Sequence, residues 1–353
     1  MYDLIVVGAG PAGSFAAYRS ASSGLRTLLI EMERLPRWKA CGGVVDGGTL
    51  SKFPRGVFDI LEAKGEFNNI FYNYRRIRSL QGENYFFRRE RLDYFITKMA
   101  MDAGAEVVDS CPVTEVATCS DEVIVRTPHL EYKARLLIGA DGVHSVVGKS
   151  IGLVHDPKKK YAAVIADVKL KDFENLLGTG DHNNTYFFDD LIGFAWLIPN
   201  RKSVNIGMGA LMRKSVGLRH KFDIFCRNLG ISCSQVSGHM IPYAVLDKIQ
   251  SGRVMLVGDA AGFVNAWTGA GIGPGVYSAE KAAETCLEMI ENDDFSEEAS
   301  ERYPGRCKSA IRNLRFRSKL IEILDEKTPS DFELPRIAES LVRKLSAIAS
   351  LSL

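Results

Sequence analysis

Three glycines near the start of this 353-residue chain have a spacing that can hold phosphate. Gly8-Ala9-Gly10-Pro11-Ala12-Gly13 follows a β-branched apolar run, residues 2–7, and opens a stretch of small residues from about Pro11 to Ser22. In that setting Gly8 permits a tight turn and Gly10 lets the backbone approach a pyrophosphate. Gly13 lets helix and strand pack closely. The helix start turns free N–H groups and a positive dipole end toward the phosphates. Pro11 and Ala12 form its first turn, where the missing N–H of proline is not needed. Glu31 closes the next strand pattern, residues 26–31. A carboxylate there accepts hydrogen bonds from an adenosine ribose and repels a 2′-phosphate.

A second set of residues lies far downstream. Gly258-Asp259-Ala260-Ala261 follows a buried-strand pattern at 253–257, so Asp259 falls just past a strand end, where ligands bind in open α/β sheets. It can bind a polyol such as a ribityl chain. Gly269, Gly271, Gly273 and Gly275 follow, with Ile272 and Pro274 near a helix start. That loop can aim backbone N–H groups and a dipole at charge developing on a flavin ring. Together these residues point to FAD. Only one such fingerprint is present, because Gly207-Met208-Gly209 lies in a strand pattern and lacks a third glycine.

The elements that must position these residues follow from periodicity. Residues 2–31 make a βαβ unit with parallel strands. Residues 44–85 suggest strands and loops, 91–104 an amphipathic helix ending at Gly104, and 107–125 short strands. Residues 135–140 form another buried strand. Alternation over 160–210 predicts antiparallel strands, 215–229 a helix, and the chain beyond Gly275 is mostly helical. The expected fold is α/β: a Rossmann-like FAD-binding domain interrupted by an inserted antiparallel β-sheet substrate domain, with a helical C-terminal tail. The boundaries are 1–45, 86–155 and 246–292 for the FAD-binding domain, 46–85 and 156–245 for the substrate domain, and 293–353 for the tail.

Composition narrows the partners. A net charge of +2 gives no electrostatic reason to expect nucleic acid. Residues 2–7 run straight into the glycine turn without a basic leader, and no run of about 18 apolar residues occurs, so neither secretion nor a membrane span is expected. The seven cysteines form no C-x-x-C and no zinc spacing. No metal site is expected, and the cysteine usage suggests a reducing cytoplasm. Cys226 and Cys233 could still pair if the source is a hyperthermophile. The basic amphipathic tail, with Leu314, Leu320, Ile321 and Leu324 among Arg312, Arg315, Arg317 and Lys319, can either pack or contact a membrane surface peripherally.

The N-terminal fingerprint, Gly139-Ala140-Asp141-Gly142 and Gly258-Asp259-Ala260-Ala261 stand in the order seen in aromatic-hydroxylase-like flavoproteins, and the chain resembles that superfamily up to about residue 290. The resemblance implies that Arg89 lies near FAD, that Asp141 and Gly142 lie near the pyrophosphate, and that Asp259 binds the ribityl chain. Within the superfamily the chain is most similar to the geranylgeranyl reductase family. Trp38-Lys39-Ala40-Cys41-Gly42-Gly43 resembles its Cys-Gly-Gly segment, and Gly193-Phe194-Ala195-Trp196-Leu197-Ile198-Pro199 resembles its substrate motif. Phe194 replaces a more usual Tyr, and members of that family usually have a Pro near Ala266 and an acid near Ala270.

That resemblance implies FAD-dependent reduction of isoprenoid C=C bonds in a lipid or prenyl chain. Hydride comes from reduced flavin and a proton must reach the other carbon. Cys41 is the candidate beside the ring, although by itself it reads as a small buried apolar residue. Gly42 and Gly43 give the flavin room, and Phe194, Trp196 and Pro199 line the substrate. NADPH, a deazaflavin or a ferredoxin is compatible as electron donor, the last adding a protein partner. A flavin monooxygenase of an aromatic or isoprenoid substrate shares the same FAD motifs. A flavin halogenase shares part of the tryptophan motif but lacks its first Trp. A non-catalytic flavin- or lipid-binding protein is the alternative outside enzymes.

Overall fold

The computed structural model describes residues 1–169 and 182–327. The apolar opening forms β1 (Tyr2–Val7), the small residues form α1 (Pro11–Ser22), and β2 (Thr27–Ile30) runs parallel to β1. Next come β3 (Val44–Asp46), α2 (Gly47–Leu50) and the hairpin of β4 (Ala63–Tyr72) with β5 (Arg75–Phe86). Both residues of its turn, Asn73 and Tyr74, have positive φ (42° and 67°), the backbone that matches the right-handed strand twist. Helix α3 (Arg89–Asp102) starts two residues before its expected position and gives way to Gly104 at φ 97°, the left-handed conformation that ends helices. β6 (Glu106–Val108), β7 (Glu115–Thr118), β8 (Val123–Arg126), β9 (Glu131–Gly139) and α4 (Val146–Ser150) follow.

A run of long strands then begins: β10 (Lys160–Lys169), β11 (Asn183–Phe188), β12 (Leu191–Pro199) and β13 (Ser203–Leu211). Helix α5 (Leu218–Asn228) and β14 (Ser237–Pro242) close that part of the chain. β15 (Gln250–Ser251) and β16 (Val254–Leu256) lead into α6 (Ile272–Glu291), α7 (Glu297–Arg306) and α8 (Lys308–Lys327).

Two sheets result. In the first, β6, β2, β1, β9 and β16 lie side by side and parallel, with β15 antiparallel at one edge and the β7–β8 hairpin joined to β9. Leu4, Ile5, Val6, Leu136, Leu137, Ile138 and all of β16 have no solvent exposure. Parallel strands covered on both faces read as continuous apolar runs, and these do. Burial of each such aliphatic side chain is worth roughly 1.5–3 kcal/mol.

The second sheet has the order β14-β10-β13-β12-β11-β4-β5-β3. It is antiparallel except between β4 and β11, which pair in parallel with Asn69 opposite Asn184. This departs from the all-antiparallel expectation. The physical reason is connectivity: β4 and β11 are separated by a passage through the first sheet and are not joined by a hairpin. One face of this sheet packs on α5 through Ala195, Leu197, Ile206, Met208 and Phe222. The other carries Ala163, Ile165, Trp196 and Ile198 and meets Ala40 and Phe86. Strand alternation sends neighbouring residues to these two different environments.

At the start of α1 the glycine requirement is steric. Gly8 adopts φ 101°, and a Cβ on Gly13 would collide with the carbonyl oxygen of Gly8 and lie 2.9 Å from Ala140 Cβ. Neither obstacle can swing away. We expect Gly13→Ala to part α1 from β1 and β9 and to cost about 1–3 kcal/mol. The measurement is the urea midpoint, and an unchanged midpoint would contradict the packing described.

Candidate functional site

The N-terminus of α1 has no side-chain cap, so its first N–H groups are free for a ligand. Around Gly10, a Cβ would find just one heavy atom within 4 Å beyond its chain neighbours, Nη2 of Arg37 at 3.7 Å, among the described residues. An open backbone turn faced by a guanidinium fits a pyrophosphate. Glu31 is buried. Ala9 N–H donates to its Oε2 (2.7 Å) and Glu33 N–H to its Oε1 (3.1 Å), which fixes the carboxylate at the strand end. A cleft of about 630 Å³ runs past Arg34, Arg37, Trp38, Lys39 and His239.

Four charged side chains form a continuous buried chain from that strand end to the middle of the molecule. Arg37 Nε lies 3.3 Å from Glu31 Oε2, and Arg37 Nη1 donates to Asp93 Oδ2 (3.2 Å). Arg89 grips Asp93 with Nε and Nη2, both at 2.7 Å. Burial, the largest influence on Arg89, works against its charge. Asp93 and the neighbouring Cys41 sulfur outweigh it, so its pKa is raised and the guanidinium stays charged. Of this chain, Glu31 and Arg89 were legible as site residues; Arg37 and Asp93 were missed. Asp93 sits one turn beyond Arg89 in α3, an i,i+4 spacing that could have signalled the pair.

The downstream residues converge on the same region. Asp259 stands in the turn Gly258–Ala260, and a Cβ on Gly271 would lie 3.0 Å from its Oδ1. Gly271 precedes α6, whose start has no side-chain cap, and Ile272 is its first, buried residue. Ala12 fills the space between Gly258 and Gly275, where added Cβ atoms would lie 3.1 and 3.4 Å from it. Lys39 faces Asp259, Arg89, Arg37 and Cys41. Burial pushes its pKa down, Asp259 opposes this, and the two arginines add to it. His239 is pushed down to about 3 by burial, with Lys39, Arg89 and His144 adding to the effect, so its imidazole is neutral at ordinary pH.

Asp141 stands beside the glycine turn, its Cα 3.1 Å from where a Cβ on Gly8 would lie. Its Oδ1 accepts from Ser145 Oγ (2.5 Å) and its Oδ2 from Val146 N–H (2.7 Å) and Val147 N–H (3.1 Å). Both oxygens therefore hold the start of α4. Burial pushes its pKa up, and those hydrogen bonds oppose the rise. Gly142 has φ 78°, the backbone that lets the chain turn back for this capping.

Cys41 lies between the two sheets. Gly43 N–H donates to its sulfur at 3.4 Å. Gly43 has φ 68° and would clash with Phe87 O if it had a side chain, and a Cβ on Gly42 would lie 2.5 Å from Ile198 Cδ1 and 3.9 Å from Trp196 Nε1. The two glycines thus press the cysteine segment onto β12. Trp196 lies over Gly207, where any Cβ would strike its ring, and donates Nε1–H to Asn205 Oδ1 (2.9 Å). This explains the glycines of β13 that resembled half a fingerprint. Phe194 stands 5.8 Å from Trp196, centroid to centroid, and a Cβ on Gly269 would touch its ring edge at 4.0 Å. Pro199 alternates to the opposite face, the face on which Ala195 and Leu197 pack toward α5, and ends β12. Cys226 and Cys233 are free thiols with sulfurs 3.3 Å apart. No cluster of potential metal ligands occurs among the described residues.

Residues 1–208 match the FAD binding domain family. The chain is 30% identical to an uncharacterized protein of Methanosarcina barkeri over 342 residues, covering 94% of this chain and 86% of that one. It is 28% identical to the digeranylgeranylglycerophospholipid reductase of Methanocaldococcus jannaschii, covering 99% of this chain and 92% of that one. A solved geranylgeranyl bacteriochlorophyll reductase-like protein of Thermoplasma acidophilum superposes with TM-score 0.78 at 24% identity, covering 96% and 95% of the two chains. The p-nitrophenol 4-monooxygenase of Pseudomonas putida gives 0.75 at 18% identity, covering 93% and 90%. The two solved structures share this fold.

Asp93 balances two buried guanidinium groups, and removal of one partner strands the others. Asp93→Ala should lower stability by about 3–5 kcal/mol. The check is equilibrium urea unfolding, in which a loss under about 1 kcal/mol, the range of exposed pairs, would show the chain to be solvated.

Proposed function

The chain belongs to the FAD-binding domain family of flavoprotein oxidoreductases, and on that premise we propose that it hydrogenates C=C bonds in the isoprenoid chain of a prenyl lipid. The observation that supports this most is the position of Cys41. Its thiol stands between the pyrophosphate side of the molecule and an apolar sheet face formed by Ala163, Ile165, Trp196 and Ile198. An isoprenoid offers nothing but apolar surface and an unactivated alkene. Recognition must therefore come from a wall of this kind, and catalysis from alignment and exclusion of water. The names of relatives over nearly the whole chain agree with a prenyl-lipid substrate.

The α1 start, Arg37 and Glu31 would hold the diphosphate and adenosine ribose of FAD, with Asp259 on the ribityl side and the Gly269–Ile272 loop near the ring. When bound and reduced, FAD supplies hydride. Phe194 and Trp196 orient the apolar chain. Gly42 and Gly43 keep the cysteine segment thin enough for substrate and cofactor to meet. Cys41 holds the proton for the carbon that does not receive hydride. Reduced nicotinamide, deazaflavin and ferredoxin all remain suitable donors, because a single dinucleotide fold is present among the described residues.

No helix among the described residues is long and apolar enough to cross a membrane. Helix α8 instead presents Lys308, Arg312, Arg315 and Lys319 to solvent together with Phe316, which is 57% exposed. This face fits an anionic bilayer surface, each cation contributing about 1 kcal/mol.

The decisive measurement is anaerobic. Photoreduced protein mixed with a digeranylgeranyl lipid should reoxidise and yield a product heavier by added hydrogen; a product carrying oxygen would establish a monooxygenase instead. Cys41→Ala should slow reoxidation on the order of 100-fold with flavin content intact; wild-type rates would remove the thiol from the chemistry. For the surface, Arg312→Glu with Lys319→Glu should weaken sedimentation with phosphatidylglycerol vesicles by roughly tenfold or more. Equal binding by parent and variant would exclude this face as the contact.

A further inference from the structure

A proton donor that turns over must be recharged, and the second sheet has a polar feature where an apolar one would pack more simply. Where β12 ends and β13 begins, a pocket of about 20 Å³ lies against Cys41, bordered by Arg89, Asp167, Asn200 and Asn205. A single water needs roughly 10–15 Å³ of such space and two or more polar partners. Asn200 is 8% exposed, and its Oδ1 is buried with no hydrogen-bond partner among the described residues. A buried amide oxygen without a partner in a pocket of this size calls for a water.

The neighbouring residues form an ordered polar line on an otherwise apolar face. Asn205 accepts from Trp196 Nε1 with its Oδ1 (2.9 Å) and donates through Nδ2 to Asp167 Oδ1 (3.1 Å). Asn205 and Asp167 are directly opposite each other in the β10–β13 ladder, and Asp167 is exposed to solvent. The line therefore runs from bulk water at Asp167 to the wall beside Cys41.

We propose that this pocket holds one ordered water, hydrogen-bonded to Asn200 Oδ1, through which Cys41 regains its proton from Asp167. The proposal rests on the reading of Cys41 as proton donor. In the donating step the S–H bond breaks and a C–H bond forms. The thiolate then takes a proton from the water, whose O–H bond breaks, and the Asp167 carboxyl or bulk water restores it. Only protons move in the recharging, so it needs no oxidant or reductant. Asp167 and Asn200 are positioning residues, since neither touches substrate. The other charged groups facing the thiol are Lys39 of its own segment and Arg88, Arg89 and Glu90 at the start of α3.

Two measurements on the FAD-loaded protein test this. A crystal structure that orders solvent should show a water within hydrogen-bonding distance of Asn200 Oδ1; an empty pocket overturns the proposal. Asp167→Asn keeps the shape of an exposed side chain. It should slow lipid-driven reoxidation about tenfold or more, with rate restored by added acetate or imidazole buffer. A merely structural role would show no such rescue. Wild-type rates at every pH, or slowing without rescue, would refute the relay. If the unmodified protein itself fails to reoxidise with any prenyl lipid, the substrate reading fails, and the crystal density still decides the water site.

Discussion

The arrangement depends on a buried row of alternating charges, Glu31–Arg37–Asp93–Arg89. It joins the end of β2, the loop after it and the start of α3, and it ends beside Cys41. None of these groups can be withdrawn from water alone at acceptable cost, because an unpaired buried ion is strongly disfavoured. Together they are compensated. The result is that the loop carrying Arg37 through Gly43, which has little regular structure, is held by electrostatics where no helix or strand could hold it.

Contact between the two sheets relies on the absence of side chains as much as on their presence. Gly42 and Gly43 bring the cysteine segment onto Ile198 and Phe87, Gly207 admits the ring of Trp196, and Gly269 approaches Phe194. At Gly42, Gly43 and Gly207 one added carbon atom would collide with its neighbour. The same crowding fixes the indole, whose N–H is taken by Asn205, so Trp196 presents a fixed apolar surface.

Asp141 shows how a carboxylate at a ligand-binding strand end can serve the fold. Its oxygens take the free N–H groups of α4, as an N-cap does. Lys39 and His239 are the reverse case: nothing in their spacing marks them, yet the packing of β14 and the loop after β2 sets them facing the same cleft.

What the sequence by itself determined is local. The glycine turn, the apolar runs of β1, β9 and β16, Glu31 at a strand end and Gly104 after α3 all follow from rules that act over a few residues: steric freedom at positive φ, strand and helix periodicity, and helix-end chemistry. The FAD-binding class and the two-sheet architecture were legible for the same reason. The tertiary structure alone decided which distant residues meet. Asp93 faces Arg37, Asn205 lies between Trp196 and Asp167, and β4 pairs in parallel with β11 because the chain crosses from one sheet to the other and back. Pro199, three residues beyond Trp196, falls on the opposite face of β12. Such pairings depend on how elements far apart in the chain dock, and no short-range pattern encodes that docking.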